Sequence, residues 1–178
     1  GWRYFWLALP PIDPAAPTTI YAASNGVYRS SDGGATWTVR NTGLTSAAAL
    51  ATRALAVDPS DVATVLVGTD AGMFQSTNSG DTWGSRSAGL ANTSIGPVAV
   101  DPATASTLYA VIDALIFQSA DGGSTWVSRS AGLPTSAINA LATDPATATT
   151  LYAGTNGSGV YWSTNAGATW APRRTGLP

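Results

Sequence analysis

Self-similarity constrains this chain more than any other feature of its sequence. An Asp-Pro pair recurs at Asp13-Pro14, Asp58-Pro59, Asp101-Pro102 and Asp144-Pro145, at spacings of 45, 43 and 43 residues. A Thr-Trp pair recurs at Thr36-Trp37, Thr82-Trp83, Thr125-Trp126 and Thr169-Trp170, and Arg40, Arg86, Arg129 and Arg173 each follow three residues after the Trp. Gly-Leu pairs beginning at Gly43, Gly89, Gly132 and Gly176 close the copies. Three markers in one register divide the 178 residues into units near 1–44, 45–90, 91–133 and 134–178. Units of about 44 residues stack on one another to build a core, so the four are read as a single repeat domain spanning 1–178.

Within a unit the segments are short, β-branched or aromatic, and bounded by turn residues, which is the pattern of strands. In the fourth copy they cover 137–143, 150–155, 159–163 and 169–173, and no segment has helical length or period. Asp-Pro ends the first strand, Asn25-Gly26 and Asn156-Gly157 favour tight hairpins with positive φ, and a Gly-rich stretch before each Trp makes the third turn. Four antiparallel strands per period predict an all-β fold, a β-propeller of four four-stranded blades. Four blades lie at the lower limit for ring closure. The arc either closes alone, pairs with a second chain to make an eight-bladed ring, or belongs to a longer polypeptide.

The third turn is the most specific motif. It reads Ser30-Ser31-Asp32-Gly33-Gly34-Ala35-Thr36-Trp37 in copy one and Ser119-Ala120-Asp121-Gly122-Gly123-Ser124-Thr125-Trp126 in copy three. Asn78 before Trp83 and Asn165 before Trp170 replace the Asp in copies two and four. These stretches resemble the Asp box, or BNR repeat, of sialidase-like, sortilin-like and xyloglucanase-like propellers and of photosystem assembly-factor propellers. The turn chemistry is local, because Asp or Asn accepts N–H groups across the turn while Trp carries apolar surface to the blade contact. Two boxes dispense with the carboxylate, so a structural role is expected, with no metal and no cofactor.

Composition then limits the chemistry. Lys, Glu, His and Cys are absent; all ten acids are Asp and all eight bases Arg. That removes Cys nucleophiles, His or Cys metal sites, His or Glu acid–base catalysis and Lys Schiff bases. The resemblance includes glycosidases, which need two carboxyl groups in opposite protonation states. Yet Asp13, Asp58, Asp101 and Asp144 are corners, Asp32 and Asp121 box residues, and Asp61 lies in a corner loop. Asp70 and Asp113 take the second-turn position of Asn25 and Asn156, and Asp81 replaces the Ala35, Ser124 and Ala168 of other boxes. Every acid has a repeat address, so no catalytic residue is assigned. The resemblance instead implies a non-catalytic binding or assembly module for glycan or protein, with a fragment of a sialidase-like or xyloglucanase-like hydrolase as the alternative.

A meander places its first and third turns on one face and its second turn, with the connection between blades, on the other. The ligand face is therefore expected to carry Asn25, Arg53, Asp70, Asp113 and Asn156. The four repeated Arg are expected to lie over a neighbouring blade, their stems covering apolar surface. A net charge of −2 argues against nucleic acid, and no apolar run is long enough to span a membrane. The sequence begins with Gly1 and not Met, as expected of a processed product or a piece of a longer protein. Low charge with abundant Ser, Thr, Ala, Gly and Asn suggests a secreted or cell-surface bacterial protein. Trp2, Tyr4, Phe5 and Trp6 concentrate four aromatics near the start, expected to pack against a partner, a second copy foremost. Pro10-Pro11 align there with Leu141-Ala142 of copy four, within an inner edge strand that tolerates Pro.

Overall fold

The computed structural model describes residues 6–8, 18–90 and 94–176. These residues form four four-stranded antiparallel sheets, each a meander in chain order. Blade one contains β1 (Trp6–Ala8), β2 (Ile20–Ala23), β3 (Val27–Ser30) and β4 (Thr38–Val39). A single helical turn, α1 (Ala47–Leu50), leads into blade two, made of β5 (Thr52–Val57), β6 (Val65–Thr69), β7 (Gly72–Ser76) and β8 (Gly84–Ser85). Blade three contains β9 (Val98–Val100), β10 (Leu108–Ile112), β11 (Leu115–Ser119) and β12 (Val127–Ser128). Blade four contains β13 (Ile138–Thr143), β14 (Leu151–Thr155), β15 (Gly159–Ser163) and β16 (Ala171–Arg173). The architecture is the propeller type expected from the repeats.

Two details differ from the sequence reading. The helical turn was not expected; three alanines and Leu50 make it, and Ser46 caps it by accepting the Ala49 N–H at 3.0 Å. Four residues are too few to show a helical period. The first strand also lies earlier than the Asp-Pro marker implied. Leu7 and Ala8 stand opposite Ala22 and Tyr21, as Leu141 and Ala142 stand opposite Ala153 and Tyr152. Blade one thus has three more residues between strand and corner than blade four. Pro10, Pro11 and the corner Asp13-Pro14 lie outside the described residues, as does the start of the aromatic segment.

Alternation along the middle strands builds the joints between blades. Val65 and Val67 of β6 join Tyr21, Val27 and Trp83 in a buried cluster between blades one and two, while Leu66 joins Val98, Val100 and Leu108 between blades two and three. Tyr109 and Val111 of β10 meet Leu151, Ala153, Tyr161 and Trp170 in the third cluster. An interior blade is therefore apolar on both faces. Neighbouring inner strands touch in the order β1, β5, β9, β13, and among the described residues no comparable contact returns from β13 to β1. Among the described residues the four blades therefore form an open arc.

One polar bond recurs at every joint. The indole N–H of Trp83 donates to the Arg40 carbonyl at 2.8 Å, Trp126 to Arg86 at 2.9 Å and Trp170 to Arg129 at 2.7 Å. Each box Trp thus bonds to the Arg of the preceding blade. In two joints the Trp backbone adds a second bond, from Trp83 N–H to the Thr42 carbonyl and from Trp170 N–H to the Ala131 carbonyl. Gly43 and Gly132, at φ +103° and +91°, admit that approach, because a Cβ at either would collide with the Trp carbonyl oxygen.

The four tryptophans are consequently not equivalent. Trp83 and Trp170 are buried, Trp126 is half-buried, and Trp37 is 42% exposed, with no acceptor for its N–H among the described residues. Trp83→Ala and Trp170→Ala should each cost ~3 to 5 kcal/mol in chemical denaturation. Trp37→Ala should cost less than about 1 kcal/mol. Equal losses at Trp37 and Trp83 would contradict the open arc.

Candidate functional site

The box residues form closed hydrogen-bond circuits. Asp32 accepts from the Thr36 N–H at 2.9 Å, the Thr36 hydroxyl at 2.6 Å and the Ser30 hydroxyl at 2.7 Å. Asp121 repeats this with Thr125 and Ser119. In the Asn boxes, Asn78 and Asn165 accept the Thr82 and Thr169 N–H, and their Nδ2 groups donate to the threonine hydroxyls at 2.9 Å. The threonine hydroxyl therefore changes from donor to acceptor and the circuit closes either way. The threonine hydroxyls, with the Thr N–H and Ser hydroxyl behind them, hold the Asp32 and Asp121 carboxyls down at about 2. Among the described residues no group of three potential metal-ligating side chains occurs.

The Asp-Pro corners are also locally satisfied. Asp101 and Asp144 each accept the N–H groups two and three residues onward, and Asp58 adds the Ser60 hydroxyl. Asp61 accepts from the Ala63 N–H and the Thr64 hydroxyl.

Three of the four repeated arginines pair within their own blade. Arg86 and Arg129 donate through Nε to Gln75 and Gln118 at 2.9 and 2.8 Å, and Arg173 lies 3.5 Å over the Trp162 ring. Blade one has Arg29 at the glutamine position. Two cations then meet, and Asp81 of the next box answers them, 3.1 Å from Arg40 and 3.6 Å from Arg29. Asp81 thus departs from its box counterparts because the facing blade departs from Gln. The exchange leaves Arg40 Nε and the Tyr21 hydroxyl buried without partners, whereas Tyr109 receives a bond from Gln118. The arginine stems lie where expected: a Cβ at Gly80, Gly123 or Gly167 of the following box would meet Cβ of Arg40, Arg86 or Arg129.

On the opposite face a cleft of about 960 Å³ runs along the inner ends of the blades. Asn25, Arg53, Asp70 and Asp113 line it, together with Ser94 and Asn139. Each blade contributes its second turn and the next blade its incoming strand. Asn156 occupies the same turn of blade four but does not line the cleft, since no further described blade supplies the facing wall. Two short hairpins position the acids, Asp70-Ala71 between Thr69 and Gly72, and Asp113-Ala114 between Ile112 and Leu115, with Asp113 at φ +54°. Thr69 braces the first by accepting the Ala71 N–H and donating to the Gly72 carbonyl.

Arg53 reaches the cleft through a β-bulge. Thr52 pairs with Thr69 and Ala54 with Gly68, leaving Arg53 as the extra residue of β5. Blade four repeats the bulge at Asn139, between Ile138 and Ala140. Asn139 was missed from the sequence, although aligning Ala54-Leu55-Ala56 with Ala140-Leu141-Ala142 places it at the position of Arg53. Arg53 donates to Asp70 in an ion pair, and the Ser94 hydroxyl donates to the same carboxylate oxygen at 3.1 Å. The Arg53 hydrogen bond holds Asp70 below the usual carboxylate range against its partial burial, and Asp70 in turn raises Arg53.

No protein-family model matches the chain, and no curated protein sequence does. Solved structures do. The chain is similar to the GH74 xyloglucanase from Xanthomonas campestris, at 22% identity and a TM-score of 0.77, over 97% of this chain and 30% of that one. It is similar to the BT4673 extracellular domain from B. thetaiotaomicron at 18% identity and TM-score 0.67, covering 93% and 21%. A third similar structure is YCF48 bound to D1 peptide, at 12% identity and TM-score 0.53, covering 93% and 66%. These likenesses show a β-propeller, and the chain spans between 26% and 37% of the length of the GH74 enzymes it matches. Among the described residues no helix is long and apolar enough to cross a membrane.

Two measurements check this electrostatic picture. Asp121→Asn should leave the denaturation midpoint at pH 7 unchanged, because Asn already closes two boxes. The depressed carboxyls of Asp32 and Asp121 stabilise the fold above about pH 4 and lose that contribution as pH falls toward 2. The Asp32→Asn/Asp121→Asn chain should therefore lose less stability than wild type across that interval, and a parallel decline would exclude the assignment. In the cleft, Arg53→Met should move the Asp70 titration upward in carboxyl NMR, whereas an unmoved titration would remove Arg53 as its cause.

Proposed function

We propose that the chain is a non-catalytic Asp-box propeller module, one repeat domain over 1–178, that binds a glycan or protein ligand in the cleft lined by Asn25, Arg53, Asp70 and Asp113. Asn156 joins this site where a further blade faces it. The Arg53–Asp70 pair is the observation that carries the reading. Its charges neutralise each other, and beside Asp113 the wall is rich in turn amides, hydroxyls and Asn139, which suits hydroxyl-bearing or peptide ligands. Acid catalysis of glycoside cleavage needs a carboxyl held protonated, and Asp70 is shifted in the opposite direction. A second copy that completes the arc as an eight-bladed ring is the partner most in keeping with closed cyclic assemblies. Similarity to an extracellular domain and to a xyloglucanase supports a place outside the cell or on its surface.

The similarity to GH74 enzymes favours one alternative, a section of a glycoside hydrolase whose catalytic acids lie outside this chain. Glycan-array and peptide-array screening, followed by calorimetry on the best probe, separates the two. Binding should weaken at least tenfold in Arg53→Ala and Asp70→Ala, with no turnover of xyloglucan, sialosides or aryl glycosides. Affinity indifferent to both substitutions, or turnover abolished by a single Asp→Ala, would overturn the proposal.

A further inference from the structure

The two ends of the arc present unmatched halves of the joint repeated three times inside it. On blade four, Tyr152 is 41% exposed and Ala140 and Ala142 are exposed beside it. Their counterparts on the same sheet face, Tyr21, Leu66 and Tyr109, are fully buried by a following blade. Blade four also holds Arg173 at the repeat position whose carbonyl receives an indole N–H from the next blade in every internal joint. Gly176, at φ +86°, repeats the position of Gly43, Gly89 and Gly132, where a Cβ would meet a Trp backbone at Gly43 and Gly132 and nothing within 4 Å at Gly89 or Gly176. On blade one, Trp37 is exposed and has no acceptor among the described residues, and Tyr28 holds the position at which Phe74 and Tyr161 pack into an internal joint.

We infer that Trp37 of one copy seats in blade four of a second copy, its indole N–H donating to the Arg173 carbonyl, its backbone lying against Gly176 and blade one covering Tyr152. This rests on the ring-completion reading above and adds to it a polarity, blade one to blade four. The second copy is the occupant because the two ends of the arc carry the same parts that bind one another at the internal joints. The contact is heterologous, so two chains satisfy both ends only by making it twice. Ala35 occupies the box position of Asp81, which pairs with Arg40 across the first joint. Ala35 of one copy therefore faces Arg173 of the other.

The natural absence of cysteine allows a direct test on the full chain. Ala35→Cys chains and Arg173→Cys chains are mixed and treated with a short bismaleimide, with light scattering recording mass. The expected result is a two-chain mass with cross-linking in the mixture and little in either variant alone. Trp37→Ala and Gly176→Asn should each weaken association at least tenfold while leaving the β-sheet circular dichroism unchanged. Asn tolerates positive φ, so Gly176→Asn adds a side chain to the docking notch without forcing the turn. A two-chain mass with Ala35→Cys cross-linking to itself would overturn the polarity and leave ring completion standing. A one-chain mass at high micromolar concentration, or cross-linking of the double variant within one chain, would overturn both.

Discussion

The structure depends on a bond that joins one repeat to the next, from the box Trp indole to the carbonyl of the Arg in the preceding blade. A sheet of four short strands buries too little alone, and each blade here gains its second apolar face only from its neighbours. The indole adds a large apolar surface to the contact, and its N–H reaches one carbonyl across the boundary. Because Trp and Arg lie three residues apart on the same outer segment, each interior blade is at once donor to one neighbour and acceptor for the other. The box turn behind the Trp is a rigid mount, which explains why its Asp or Asn is spent on internal hydrogen bonds.

The cleft follows from the same arrangement. Once the joints set the blades radially, the second turns and incoming strands converge on one side, and the boxes and corners face the other. Bulges at Arg53 and Asn139 turn polar side chains into that space, and Asp70 with Ser94 holds Arg53 in place. The polar cleft is thereby separated from the residues that hold the fold.

Much of this was legible in the sequence because the repeats are in phase. Strand number, turn positions and the face bearing Asn25, Arg53, Asp70 and Asp113 followed from spacing alone. The first strand was misplaced because Asp13-Pro14 kept its register while three residues entered between strand and corner. Asn139 escaped notice because an Asn between Ile138 and Ala140 has no local signal, and only alignment with Arg53 reveals the bulge. The inequality of Trp37, Trp83, Trp126 and Trp170 was invisible for a physical reason: burial of each depends on the preceding blade, and identical motifs carry no record of what stands in front of them.

Hydrogen exchange at the indole N–H groups tests the central claim most directly. In the Gly176→Asn chain held as a monomer by dilution, the indole protons of Trp83, Trp126 and Trp170 should be protected, each by its carbonyl partner. That of Trp37 should exchange at a rate close to that of free indole. Equal protection at all four would show a ring closed within one chain, and rapid exchange at Trp83 and Trp170 would show that this bond does not hold the blades together.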